Sequence, residues 1–119
     1  MNTVSFQYIN LDYLEMMTEG DVDMQKELLE LVVAEIKNDI PRMVEFFKKG
    51  NLKEAHELSH KFKSTLAFVG NDLMSDANKE AELITKMGGD ESKLSGLFQI
   101  VEEMQPKVLV ELEQYFHSL

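Results

Sequence analysis

Residues 51–70 read NLKEAHELSHKFKSTLAFVG, and this stretch decides the fold. Its apolar residues recur every three or four positions, as on one face of an α-helix: Ala55, Phe62, Leu66 and Val69. Asn51 with Glu54 three residues later fits a capping box, and Gly70 is the residue type that commonly ends a helix. We therefore predict a helix from about Leu52 to Val69.

The same spacing continues before this stretch. A long amphipathic helix is predicted from about Asp21 to Lys49, with an apolar stripe of Met24, Leu28, Leu31 or Val32, Ile36, Ile40, Met43 and Phe47. Pro41 lies inside it, and because the stripe keeps its register on both sides we expect a bend without a break. A short helix is predicted to begin at Asn10 or Asp12 and end near Gly20, carrying Leu11, Leu14 and Met17.

Two further helices are predicted after Gly70. The first begins at Asn71 or Asp72 and ends at Gly88-Gly89, with the apolar residues Leu73, Met74, Ala77, Ala81, Ile84 and Met87. The second spans about residues 92–118, and Pro106 is expected to kink or split it after Met104. The strict alternation typical of strands is absent. The predicted fold is all-α: an antiparallel four-helix bundle with a short additional N-terminal helix, as a single domain over residues 1–119.

Composition narrows the function classes. The net charge is −10, which disfavours binding to nucleic acid or to a membrane surface because phosphate groups would be repelled. No apolar stretch approaches the length of a membrane span, and the N-terminus lacks the pattern of a signal peptide. The absence of cysteine fits a cytoplasmic protein.

Two histidines one helical turn apart, His56 and His60, permit two different chemistries. The run from His56 through Glu57 to His60 matches H-E-x-x-H, in which two histidines bind zinc and the glutamate acts on a bound water. A catalytic zinc of this type needs a third protein ligand, and the remaining histidine, His117, lies two residues from the C-terminus. A zinc-dependent hydrolase is therefore the weaker interpretation, and we expect no metal site.

The second chemistry centres on His60. A helical projection places it roughly 160° from Phe62, on the face opposite the core. His56 and Glu57 lie one turn before it on this surface, and Lys63 and Ser64 one turn after. An exposed imidazole has a reference pKa of about 6.5, so much of it is neutral and nucleophilic near pH 7. Lys63 can hold the charge of a phosphoryl group, and the small Ser64 leaves room for one to approach.

The chain resembles histidine phosphotransfer (HPt) domains, whose signature is H-x-L-K-G-x-x-x-x-x-G. His60, Lys63 and Gly70 match the phosphorylated histidine, the assisting lysine and the glycine that closes the helix. Phe62 replaces the usual leucine and Ser64 the more common glycine. Downstream, the positions that tend to be Leu, Leu and Glu hold Met74, Ala81 and Glu82, with a more polar residue than expected at Asn78.

The resemblance implies a phosphocarrier that has no kinase activity of its own. It would accept a phosphoryl group on His60 from an aspartate of a receiver domain and pass it to another receiver, in a relay with response regulators or hybrid sensor kinases. Mg²⁺ would belong to the receiver, and the domain itself would need no cofactor. The docking face would include residues around His60, for which we name His56, Glu57, Ala67 and Phe68; Phe68 could instead pack against the N-terminal helix. We expect a monomer, and a helical adaptor without phosphochemistry is the main alternative.

Overall fold

A computed structural model describes residues 6–119 of the chain. It contains five α-helices, which we number in chain order: α1 (Asp12–Thr18), α2 (Val22–Lys48), α3 (Leu52–Val69), α4 (Asp72–Met87) and α5 (Leu94–Ser118). A single 3₁₀ turn, Glu91–Lys93, leads into α5. The long helices α2–α5 pack in chain order, α5 closes the ring against α2, and α1 lies against α2 and α3. The predicted four-helix bundle with an additional short N-terminal helix is confirmed.

The helix boundaries follow the glycines and caps of the sequence. Asp21 and Asn71 each accept a hydrogen bond from the backbone N–H three residues later, which satisfies free donors at the starts of α2 and α4. The capping box predicted at Asn51 is wrong, because the Asn51 side chain makes no cap hydrogen bond. Its N–H is held by the carbonyl of Phe46 at 2.8 Å, and its backbone (φ −83°, ψ 70°) lies outside the extended geometry that turns a cap side chain onto the helix.

Neither proline interrupts its helix. Pro41 lies inside α2 and Pro106 inside α5, and both helices continue as single elements. The absence of a break at Pro41 was expected. For Pro106 a kink or a split after Met104 was expected, and the split is absent because α5 runs from Leu94 to Ser118 as one helix.

The core is continuous through the bundle. In α2 it follows the predicted stripe at Val32, Ile36, Ile40 and Met43 and departs from it nearer the start of the helix. Met24 is 50% exposed and Leu31 64% exposed, and the buried positions are Gln25, Leu29 and Val32. Gln25 is buried because its side chain is paired: Nε2 donates to Thr18 Oγ1 at 3.2 Å, and Oε1 accepts from the Tyr115 hydroxyl at 3.0 Å. Three further apolar residues assigned to the stripes are also exposed: Met17, Leu73 and Met87.

Residues 6–11 form an N-terminal strap across one end of the bundle. The carboxylate of Glu111 accepts hydrogen bonds from the backbone N–H groups of Gln7 and Tyr8, at 2.9 and 2.6 Å. Asn71 Nδ2 donates to the Tyr8 carbonyl at 2.8 Å, and the Asn10 N–H donates to the Val69 carbonyl at 3.0 Å. The strap therefore ties α5 to the junction of α3 and α4.

Candidate functional site

The side chain of His60 projects from the middle of α3 into solvent, with 68% of its surface exposed. On the opposite face of the helix, Phe62, Leu66 and Val69 are buried in the core. The orientation predicted from the helical projection is therefore confirmed. An exposed imidazole at this position is accessible to a large partner from the side.

One buried carboxylate lies behind the imidazole. Glu82, from α4, has a side chain only 8% exposed, and its Oε1 lies 2.8 Å from Nδ1 of His60. The other oxygen, Oε2, lies 3.3 Å from Nζ of Lys63. The two residues that the sequence placed on the reactive face are thus joined through a single acid on the neighbouring helix.

This arrangement keeps Glu82 ionised. Burial alone would raise the pKa of its carboxyl group, but the hydrogen bonds and positive charges supplied by His60 and Lys63 outweigh burial and hold the pKa below its ordinary value. An ionised carboxylate can only accept hydrogen bonds. In the neutral ring of His60, the proton therefore sits on Nδ1, and Nε2 carries the free electron pair.

A buried polar contact between Ser59 and Asn78 fixes the register of α3 against α4 directly beneath this site. The Ser59 hydroxyl lies 2.8 Å from Asn78 Oδ1, and Asn78 Nδ2 donates to the Ser59 carbonyl at 2.9 Å. Both residues are almost fully buried. The polar Asn78, unexpected on the sequence pattern, is thereby explained, and the same register brings Glu82 one turn later under His60.

His56 is half-buried and also turns its Nδ1 towards α4. That atom lies 3.0 Å from the Thr85 hydroxyl and 3.2 Å from the Glu82 carbonyl. The rings of His56 and His60 are nearly parallel, at 25°, with centroids 6.3 Å apart. Within residues 6–119, no group of three or more His, Cys, Asp or Glu side chains is arranged to hold a metal ion, so the geometry gives the zinc interpretation no third ligand.

The remaining residues predicted for the site differ in their exposure and packing. Glu57, Ser64 and Ala67 are exposed. Ala67 and Lys63 line a shallow groove of about 260 Å³ between α3 and α4. Phe68 is half-buried and packs on Tyr13 with ring centroids 5.1 Å apart. It therefore packs against the N-terminal helix α1, which was the alternative to a docking role. Its role in docking stays a prediction.

Gly70 ends α3 and also allows the backbone of the strap to approach closely. Its φ of +71° lies in the left-handed region, and its N–H donates to the Leu66 carbonyl at 3.1 Å. A Cβ atom at this position would lie 2.2 Å from the carbonyl oxygen of Asn10. Glycine is therefore required twice, by the turn and by the close approach of the strap.

The sequence interpretation missed the part played by Glu82. The residue was noted only as a position that fits the family pattern, and its link to His60 and Lys63 was not foreseen. One signal was present: Glu82 follows Asn78 by one turn on the core-facing side of α4, where an unpaired acid would be costly. A buried acid on that face requires a cationic or hydrogen-bonding partner from another helix.

Among the described residues, no helix is both long and apolar enough to cross a membrane. Comparison with known proteins found no matching family model and no match among curated proteins. The structure is similar to the crystal structure of histidine-containing phosphotransfer protein B (HptB) from Pseudomonas aeruginosa PAO1, with a TM-score of 0.81 and 18% sequence identity over 97% of this chain and 99% of that one. The chain therefore has the fold of a histidine-containing phosphotransfer protein.

Proposed function

We propose that this chain is a phosphocarrier in which His60 accepts a phosphoryl group from a receiver-domain aspartate and passes it to a second receiver. The observation that carries the proposal is the hydrogen bond between Nδ1 of the exposed His60 and the buried carboxylate of Glu82. It holds the proton on the inner nitrogen and leaves the electron pair on the outer one. The similarity in fold to HptB supports the same function.

In the proposed step, Nε2 of His60 attacks the phosphorus of an aspartyl phosphate. The Nε2–P bond forms as the bond from phosphorus to the aspartate oxygen breaks, and the aspartate leaves as a free carboxylate. The ring of His60 then carries positive charge, because Nδ1 keeps its proton, and the Glu82 carboxylate stabilises that charge. The reverse sequence delivers the group to another aspartate.

Lys63 and Ser64 complete the proposed site. The ammonium of Lys63 is anchored on Glu82 but half-exposed, so it can turn towards the phosphoryl oxygens as negative charge develops on them. The side chain of Ser64 is small, so it leaves room beside the His60 ring for the phosphoryl group. Catalytic Mg²⁺ is expected on the receiver, whose acidic pocket would be brought over His60, and the chain itself needs no kinase activity. We also propose a cytoplasmic location and a monomeric state.

The test is incubation with a phosphorylated receiver domain in the presence of Mg²⁺. Wild type should acquire an acid-labile, alkali-stable label, and His60→Gln should fold but acquire none. His56→Gln should still accept the label, since the proposal gives the nucleophilic role to His60 alone. A folded wild type that accepts no label from any receiver tested would favour the adaptor interpretation.

A further inference from the structure

The structure leaves His56 unexplained by the transfer step itself. Its Nδ1 contacts the Thr85 hydroxyl and the Glu82 carbonyl on α4. A backbone carbonyl can only accept, so in the neutral ring of His56 the proton sits on Nδ1. Its Nε2 therefore bears a free electron pair on the edge turned away from those contacts.

The two imidazoles turn the same edge towards α4, because Nδ1 of each contacts that helix, so Nε2 of each faces away from it. Their centroids are 6.3 Å apart and the planes differ by 25°. A phosphoryl group on Nε2 of His60 would therefore stand beside the ring edge that carries Nε2 of His56. His56 thus lies on the N-terminal side of the space that the phosphoryl group would enter, and Lys63 on the C-terminal side.

We propose that His56 binds the phosphoryl group once His60 carries it. The inference rests on the proposed phosphorylation of Nε2. The negative charge of the phosphoryl group favours protonation of the neighbouring imidazole, so Nε2 of His56 takes up a proton from water and donates a hydrogen bond to a phosphoryl oxygen. This contact lengthens the life of the phosphohistidine, and it does so at pH values where His56 is protonated.

His60 lies one turn along α3 from His56. The charged groups nearest to His56 by position in the chain are Lys53 and Glu57 on α3, together with Glu82 and Lys86 near its contact Thr85 on α4. Three of these are exposed to solvent and screened. The buried one, Glu82, is already paired with His60 and Lys63. The phosphoryl group therefore brings the largest change of charge near His56 when His60 is phosphorylated.

The experiment uses potassium phosphoramidate as a chemical phosphoryl donor, so that no receiver is needed. Its P–N bond breaks as the Nε2–P bond forms on His60, and ammonia leaves. The loss of the label is followed by ³¹P NMR for wild type, for His56→Gln and for His117→Gln, a matched replacement of an exposed histidine on α5. We expect the label at pH 6.5 to last about fivefold longer in wild type than in His56→Gln. The difference should vanish above about pH 9, where a free imidazole carries no proton to donate from its second nitrogen, and His117→Gln should behave as wild type.

A second measurement needs no variant. In wild-type protein labelled with ¹⁵N at histidine, the titration midpoint of His56 should rise by at least about half a pH unit when His60 is phosphorylated. An unchanged midpoint together with equal lifetimes would overturn the inference, as would failure of phosphoramidate to label His60. If phosphoramidate labels His60 but no receiver does, the proposed function is overturned. The role of His56 would still be decided by the lifetime of the label and by the titration midpoint.

Discussion

At the residue scale, the site depends on one acid shared by two basic side chains. The carboxylate of Glu82 contacts His60 through one oxygen and Lys63 through the other, at 2.8 and 3.3 Å. Both contacts are made from a nearly buried position, where hydrogen bonds are less exposed to competition from water. Glu82 therefore sets both the tautomer of the His60 imidazole and the position of the Lys63 ammonium.

Glu82→Gln tests this arrangement directly. The amide keeps the shape of the side chain, and its oxygen can still accept a hydrogen bond from Nδ1, but it lacks the negative charge that stabilises the positive ring after phosphorylation. We expect the rate of phosphotransfer to His60 to fall about tenfold or more, given the strength of hydrogen bonds to charged groups. Single-turnover transfer from a phosphorylated receiver measures it. Glu80→Gln, an exposed change on the same helix, is the control; equal rates for Glu82→Gln and wild type would contradict the role of the charge.

The lowered pKa of Glu82 also predicts how stability depends on pH. Because the pKa is lower in the folded chain than its ordinary value of 4.5, the ionised group stabilises the fold above pH 4.5, and this contribution is lost as the pH falls through the folded-state pKa. Urea unfolding of wild type and Glu82→Gln between pH 7 and pH 3 should show a difference in the free energy of unfolding that shrinks with acid. A difference independent of pH would show that folding does not lower the pKa of Glu82.

At the scale of elements, Gly70 joins the end of α3 to the strap. Gly70→Ala forces a side chain into the left-handed region and against the Asn10 carbonyl, and we expect it to lower the free energy of unfolding by about 2 kcal/mol or more. Gly50→Ala is the matched control, since Gly50 also has a positive φ (+79°) but nothing within 4 Å of an added Cβ. It should cost only about 1 kcal/mol. If urea unfolding shows that Gly70→Ala and Gly50→Ala lose the same free energy of unfolding, the close contact between Gly70 and the strap is contradicted.

The pairing of Ser59 with Asn78 sets the register between α3 and α4. Ser59→Ala leaves the buried Asn78 amide without one partner, and we expect a loss of about 1–3 kcal/mol in the free energy of unfolding. Asn78→Leu should cost a similar amount alone. The double variant should recover part of the loss, because neither replaced side chain then carries a polar atom that needs a partner, and we expect a coupling of about 1 kcal/mol or more in a double-mutant cycle. Additive losses would show that the two side chains do not act as a pair.

At the scale of the whole molecule, the bundle measures 48 × 22 × 20 Å. His60, near the middle of α3, therefore stands on the long side of this rod, with the strap at the end where α3 meets α4. In the proposed function, this long side is the surface that a receiver domain would contact.

How much of this could be predicted from the sequence depended on whether the information was local. The exposure of His60 and the end of α3 at Gly70 follow from spacing within one helix, and both were predicted. The burial of Gln25 in place of Met24 was not, because its partners, Thr18 and Tyr115, come from other helices. Hydropathy assigns a glutamine to the surface unless its distant partners are known.

The residues of the candidate site also differ in whether their arrangement is set locally in the sequence. His60, Lys63 and Ser64 lie within two turns of one helix, so a motif could place them together. Glu82 reaches them only through the packing of α4 on α3, 22 residues away from His60 in the sequence. The hydrogen bond between His60 and Glu82, on which the proposed role of Nε2 depends, therefore could not be predicted from local spacing.

The most direct test of the central claim is ¹⁵N–³¹P NMR of the chain after transfer from a phosphorylated receiver domain with Mg²⁺. The claim predicts one phosphoryl group per chain, coupled to Nε2 of His60, and its disappearance when an unphosphorylated second receiver is added. Phosphorus on Nδ1 of His60 or on any other residue would contradict the claim, and so would a folded wild type that acquires no label.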